Sequence, residues 1–193
     1  MAARSELSRL GGARRALTWR VFRRLMMTLG ALIVVFAVAS AFLFVWPPRG
    51  MPARVSAIIV LGGAGDRIPF ALRLAAGHHA PVMVVSTSTP MRTGSTTCVP
   101  PVRGITIICF NPDPQTTRGE AEFAGRMVRR YHWTSLAIVA IAPQDLRARL
   151  RFGRCLGARV YVVTAPLPLV DWPYQIAYEW GATFKALVLQ RSC

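Results

Sequence analysis

Gly62, Gly63 and Gly65, followed at once by Asp66 and Arg67, are the stretch of this chain best suited to chemistry. Glycines let the backbone turn sharply and leave amide N–H groups uncovered at the mouth of the next helix, where an anion or sugar-phosphate is commonly received. Arg67 can clamp a phosphate or carboxylate through its planar fork, or can pair with Asp66 or Glu120 to hold the loop. The turn lacks the full dinucleotide fingerprint and the Lys-Ser/Thr of a P-loop, so a tight turn without a ligand stays open. Thr116-Thr117 is expected to cap a helix, Thr117-x-x-Glu120 has the spacing of a capping box, and such a helix start can also offer N–H groups and a carboxylate to a ligand. Gln144 and Arg147 open a further helix; Gln144 can orient a substrate but cannot act as a general base, and Arg147 can contact an anion. Ser86 and Ser88 lack the G-x-S-x-G context of a nucleophile elbow. His78, His79 and His132 form no metal set, and no HExxH or CxxC occurs, so neither a metal nor a cofactor is expected.

These residues need a scaffold, and the apolar runs supply one. Val55–Leu61, Pro81–Val85, Ile105–Phe110, Leu136–Ile141 and Val160–Thr164 read as five short strands, the first bearing the glycine turn. Between them, helices are expected over Pro69–Ala76, Thr117 to about Tyr131, and Gln144–Cys155; Trp172–Leu189 closes the chain with a break or kink near Gly181. Pro90–Gly104 has no periodicity and reads as a loop. Strands alternating with helices imply βαβ units, hence a Rossmann-like parallel sheet with helices on both faces. In such sheets ligands bind beyond the carboxyl ends of the strands. The segments expected there are Gly62–Arg67, Ser86–Thr89, Asn111–Glu120 and Ala142–Arg147. Arg149, Arg151, Arg154 and Arg159 read as a solvated or membrane-facing surface.

Leu25–Trp46 carries no charged side chain. At about 1.5 Å per residue that run is long enough for a bilayer core of roughly 30 Å. Residues 1–24 hold seven Arg and one Glu, so the positive-inside rule keeps this basic tail in the cytoplasm and sends residues 47–193 across. Residues 47–54 read as a Pro/Gly/Arg linker and 55–193 as the extracytoplasmic domain. A signal peptide cleaved after Ala39-Ser40-Ala41 is the rival, but Phe42–Val45 continues the apolar run, which favours an uncleaved anchor. Basic residues number 24 against eight acidic ones, and Lys185 is the only Lys. That skew toward Arg reflects genome composition more than guanidinium chemistry. Residues 50–193 remain basic, with fifteen Arg and Lys185 against seven acids, which favours anionic partners. Placement outside the cytoplasm argues against nucleic acid. The oligomeric state is not legible. All four cysteines follow the apolar segment, in an oxidising compartment on this topology. They allow three full pairings. Cys98, on a loop that can fold toward Cys109, favours 98–109; the expected geometry disfavours 109–155, and Cys155 as a free thiol stays open.

The ordered segments resemble the YdcF/SanA/ElyC-like family of membrane-anchored domains, over roughly Val55–Lys185. I-I-V-L-G-G-A-G-D-R matches the family's strand, Gly-rich turn and Arg. Ser86-Thr87 stands where Ser-Gly is usual. T-T-R-G-E-A, Thr116–Ala121, matches Thr-x-x-Asn-Ala with Glu120 in the Asn position. A-P-Q-D-L-R-A-R, Ala142–Arg149, resembles His-x-x-Arg-Ala with Gln144 for His. The T-T-R-G-E-A and R-A-R forms are similar to actinobacterial members. The resemblance implies a Rossmann-like domain, often anchored, with relatives linked to envelope barrier function and cell-wall precursor metabolism. Gln144 for His removes the one side chain there that titrates near neutrality. Two functions follow as expectations. One is binding of a phosphorylated or lipid-linked envelope metabolite at Gly62, Gly63, Asp66, Arg67, Ser86, Thr117, Glu120, Gln144 and Arg147; whether catalysis follows is left open. The other is a non-catalytic scaffold whose basic helix Gln144–Arg159 docks on lipid or a partner.

Overall fold

The computed structural model describes residues 2–48, 50–87 and 98–193, with side chains from Trp19 onward. Arg49 of the expected linker, Ser88, Thr89, the stretch 90–97 and the side chains of Arg14 and Arg15 lie outside the described residues. The chain divides into two compact units, 1–42 and 43–193.

The first unit is helix α1, Ala2–Ser40; the π-helical turn that follows, Ala41–Val45, spans the boundary at residue 42. Trp19–Val45 is long and apolar enough to cross a membrane. The absence of any charge after Arg24 is the reason.

The second unit is built on β1 (Ala57–Val60), β2 (Val82–Ser86), β3 (Thr106–Phe110), β4 (Ser135–Ile141) and β5 (Arg159–Ala165). The strands form one sheet in the order β3-β2-β1-β4-β5, and every pair is parallel. β1 is central and all four of its residues are buried, which is why its sequence is continuously apolar rather than alternating. The helices are α2 (Arg67–Ala76), α3 (Thr117–Tyr131), α4 (Asp145–Cys155) and α5 (Trp172–Phe184). Ala71 and Ala75 of α2 pack on one face of the sheet with Ile58, Val60, Met83 and Val139. Ala121, Ala124 and Val128 of α3, with Ala148 and Phe152 of α4, pack on the other with Ile59, Val84 and Ile138. Small residues on the helix faces let the backbones approach a sheet that is itself rich in β-branched side chains.

The closing helix differs from expectation. It is not interrupted at Gly181 and changes character only at Lys185–Leu189, which is π-helical. Two disulfides are present: Cys98–Cys109, the pairing favoured from the sequence, and Cys155–Cys193, which fastens the carboxyl terminus to the end of α4.

Candidate functional site

Successive strands step from β1 outward to β3, then from β1's other side to β5, so the connections leave the sheet in opposite directions between β1 and β4. Such a switch point opens a crevice at the strands' carboxyl ends. A cleft of about 450 Å³ lies there. Gly62, Gly63, Arg67, Ser86, Thr117, Glu120, Gln144 and Arg147 all line it. Asp66 does not; it is exposed at the N-cap of α2 and makes no capping bond with its side chain.

Gly63 shapes the floor. Its φ of +112° suits glycine, and a Cβ there would stand 3.3 Å from Arg67 Nη2. Arg67 itself is turned inward and only 4 % exposed. Its Nε donates to Ala64 O at 2.7 Å, and its Nη1 donates to Leu61 O and Gly62 O. Of the roles open to Arg67, the geometry shows a brace on the carbonyls of the glycine turn, with no ion pair to Asp66 or Glu120. Burial pushes its pKa down to about 10, with the Glu120 carboxylate acting against the fall.

The start of α3 departs from the capping-box reading. The N-cap is Thr116, whose side chain accepts from Gly119 N, one residue earlier than the spacing suggests. Gly119 is what permits this: a Cβ there would run into Pro114 O, so the loop before α3 can lie against the helix only over a glycine. With the cap supplied by Thr116, Thr117 and Glu120 are free to face the cleft. Glu120 Oε1 accepts from Gly62 N at 2.7 Å, tying α3 to the turn after β1. Thr117 Oγ1 accepts from Gln144 Nε2 at 3.0 Å and from Arg147 Nη1 at 2.8 Å. Gln144 Oε1 is buried without a hydrogen-bond partner among the described residues. A buried acceptor left open in a cleft wall is a place for a donor from a bound molecule.

Glu179 of α5, outside every motif singled out above, completes the set. It is 1 % exposed and takes Arg147 at both forks, Nε to Oε2 at 2.7 Å and Nη2 to Oε1 at 2.6 Å. Burial alone would lower the Arg147 pKa; the paired Glu179 carboxylate outweighs it and raises it. The Arg147 guanidinium also lies 5.6 Å from the centroid of the Tyr178 ring, a cation–π contact. A signal for Glu179 existed: it is the only charged residue between Trp172 and Phe184.

Glu120 is the cleft carboxylate with no ion-pair contact among the described residues. Burial raises its pKa, opposed by the Gly62 N–H, the Ser86 hydroxyl and the charges of Arg67 and Arg147. The folded protein therefore holds this proton more tightly than the unfolded chain does. Its contribution to stability is fully present below the ordinary glutamate range and is lost as pH rises from there through the raised pKa. Asp145, also raised by burial, acts in the same sense. Glu120→Gln is expected to flatten the decline, leaving only the Asp145 share, in denaturant midpoints followed from roughly pH 4 to roughly pH 8. An unchanged slope in the variant would show that Glu120 is not the group titrating.

The arginines of α4 do not form a solvated face. Arg149 bonds Asp145 through two nitrogens, at 2.8 and 3.0 Å, and reaches Pro48 O. Arg151 is buried and donates to Gln190 O and Oε1, and Arg154 donates to Ala186 O and Gln190 O. Residues after Gln175 pack back onto α4 and consume its donors, a long-range partnership that helical periodicity cannot show. Arg159 alone of those four is exposed, at the start of β5. Five cations line the cleft, Arg67, Arg118, Arg147, Arg151 and Lys185, against the carboxylates Glu120 and Glu179. Arg118 is held by Glu122 at 2.8 Å and by Cys193 O. Lys185 is exposed, and its ammonium has no bonded partner among the described residues.

An α/β domain with a basic crevice at its switch point is the class this geometry defines. Compared with known proteins, the chain matches no family, no curated protein and no solved structure.

Proposed function

We propose that the chain is a single-pass envelope protein whose cleft binds a phosphorylated metabolite. In this reading the amino terminus lies in the cytoplasm and residues 47–193 lie outside it. The arginines ahead of the apolar helix support that orientation, and the two disulfides suit an oxidising compartment. The resemblance to the YdcF/SanA/ElyC-like family points the same way. One observation carries the ligand class: the cleft has more cations than carboxylates, and the ammonium of one of them, Lys185, is left unbonded. Gln144 Oε1 adds an acceptor for a ligand hydroxyl. Binding, rather than a named reaction, is what these groups support.

The test is titration of the full chain in detergent with a sugar phosphate and a short prenyl phosphate, each beside its unphosphorylated alcohol. Phosphate-dependent, saturable binding is expected. Lys185→Ala should weaken it about tenfold or more, since a hydrogen bond to a charged group contributes ~1.5–3 kcal/mol. Equal binding of alcohol and phosphate, or an unaffected variant, contradicts the proposal. Docking of a scaffold through α4 finds less support, because its guanidinium groups are already bonded within the domain.

A further inference from the structure

The outward face of α5 is built against the ordinary rule. On a helix facing water, polar side chains point out and apolar ones in. Here the buried positions include Glu179 and Thr183, while Pro173, Tyr174, Ala177, Tyr178, Gly181 and Phe184 are exposed. Their spacing of three and four residues puts them on one face. The apolar surface continues at both ends. Leu169 and Val170, in the short 3-10 turn before α5, are 86 % and 84 % exposed, and Leu187, Val188 and Leu189 are exposed in the π-helical turn after it. Scattered exposed apolar side chains need no explanation; a continuous strip of aromatic and branched ones marks a contact surface.

The occupant follows from where α5 sits in the chain's own path. Phe44 belongs to the last turn of the apolar span Trp19–Val45 and to the same compact unit as α5. It is fully buried, and its ring meets Trp180 of α5 edge-on with centroids 5.3 Å apart. The inner side of α5 is thus fastened to the residue at the membrane exit. Tyrosines belong at that depth, where a ring meets both hydrocarbon and water. Lys185, the one charge on the exposed face, has a stem long enough to bring its ammonium to the phosphates.

We propose that the outward face of α5, with the turns before and after it, is seated in the headgroup–acyl boundary of the bilayer that holds the anchor. Tyr174, Tyr178 and Lys185 belong both to this face and to the cleft lining, so the cleft mouth borders lipid. Resting on the phosphate-binding reading, this makes the ligand an amphiphile that enters sideways from the bilayer, with its phosphate at Lys185.

All four cysteines are engaged in disulfides, so one introduced cysteine is the only thiol to label. The full chain is reconstituted in vesicles of mixed zwitterionic and anionic lipid, carrying a nitroxide at Leu169→Cys or Leu187→Cys. Arg129→Cys, exposed on α3, is the control. Relaxation by dissolved oxygen is compared with relaxation by an aqueous nickel chelate. Both labels, one in the turn on each side of α5, are expected to favour oxygen over nickel several-fold more than the control. A ratio at Leu187→Cys equal to the control overturns the proposal, and so does exclusion of both reagents with spin–spin broadening, which assigns the face to a second copy. The labelled side chains are exposed, and two independent positions guard against a local fault. No ligand enters the measurement, so its failure and a failure to bind phosphate are separately readable.

Discussion

Glu179→Leu is expected to destabilise the domain by about 3–5 kcal/mol, the cost of stripping a buried charge of its partner. Arg147 loses both forks of its carboxylate contact and keeps Thr117 Oγ1 as its hydrogen-bond partner, beside the Tyr178 ring. A guanidinium stays protonated near neutral pH, so the charge stays buried and unmatched. Arg147→Leu in turn strips the buried Glu179 carboxylate of its guanidinium partner and should cost a similar amount. The double variant Arg147→Leu/Glu179→Leu is expected to lose clearly less than the sum of the two, since no lone charge remains. Denaturant titration of the four proteins closes the cycle. Additive losses would show that the pair is not coupled, and that α5 is held by its apolar contacts alone.

Cys193→Ser is the second large effect. The bridge joins positions 38 residues apart in sequence. Loop-closure entropy alone puts its contribution at about 4 kcal/mol. It also governs the cleft wall. Gln190, three residues before the bridge, holds Arg151 and Arg154, and Cys193 O receives Arg118. Freeing the terminus releases these contacts together, so the variant should lose phosphate binding as well as stability. Cys98→Ser is the control: it opens a bridge between positions 11 residues apart, neither of which lines the cleft. That shorter closure is worth about 3 kcal/mol. If Cys193→Ser binds as the parent does at a temperature where both are folded, the terminal segment is not part of the site.

Much of the scaffold can be read directly from the residues, for physical reasons. A strand buried on both faces must be continuously apolar, and Ile58–Val60 followed by glycines admits few other readings. The apolar helix after Arg24 is legible because an uncharged run long enough to cross a bilayer stands out from any globular segment. The cleft residues after β1, at the end of β2 and at the starts of α2, α3 and α4 were legible because parallel topology sends every strand's carboxyl end to the same edge. What escaped is whatever depends on distant partners. Arg67 as a brace requires knowing where three carbonyls point. Which of Thr116 and Thr117 caps α3 depends on how closely Pro114 approaches Gly119. Arg151 and Arg154 looked solvated because their acceptors on Ala186 and Gln190 lie 32 to 39 residues on. Lys185 was visible as a compositional oddity, yet nothing local says that it stands at the cleft.

The most direct test of the central claim is a cross-linking map. A prenyl phosphate with a photoreactive group beside the phosphate is added to the full chain in vesicles, irradiated, and the modified peptides are identified. The expected adducts fall on Gly62–Arg67, on the start of α3, and on Tyr174, Tyr178 or Lys185, and are lost when excess unlabelled prenyl phosphate competes. Adducts confined to Trp19–Val45, or spread over the domain without competition, would contradict a ligand site at the switch point of the sheet.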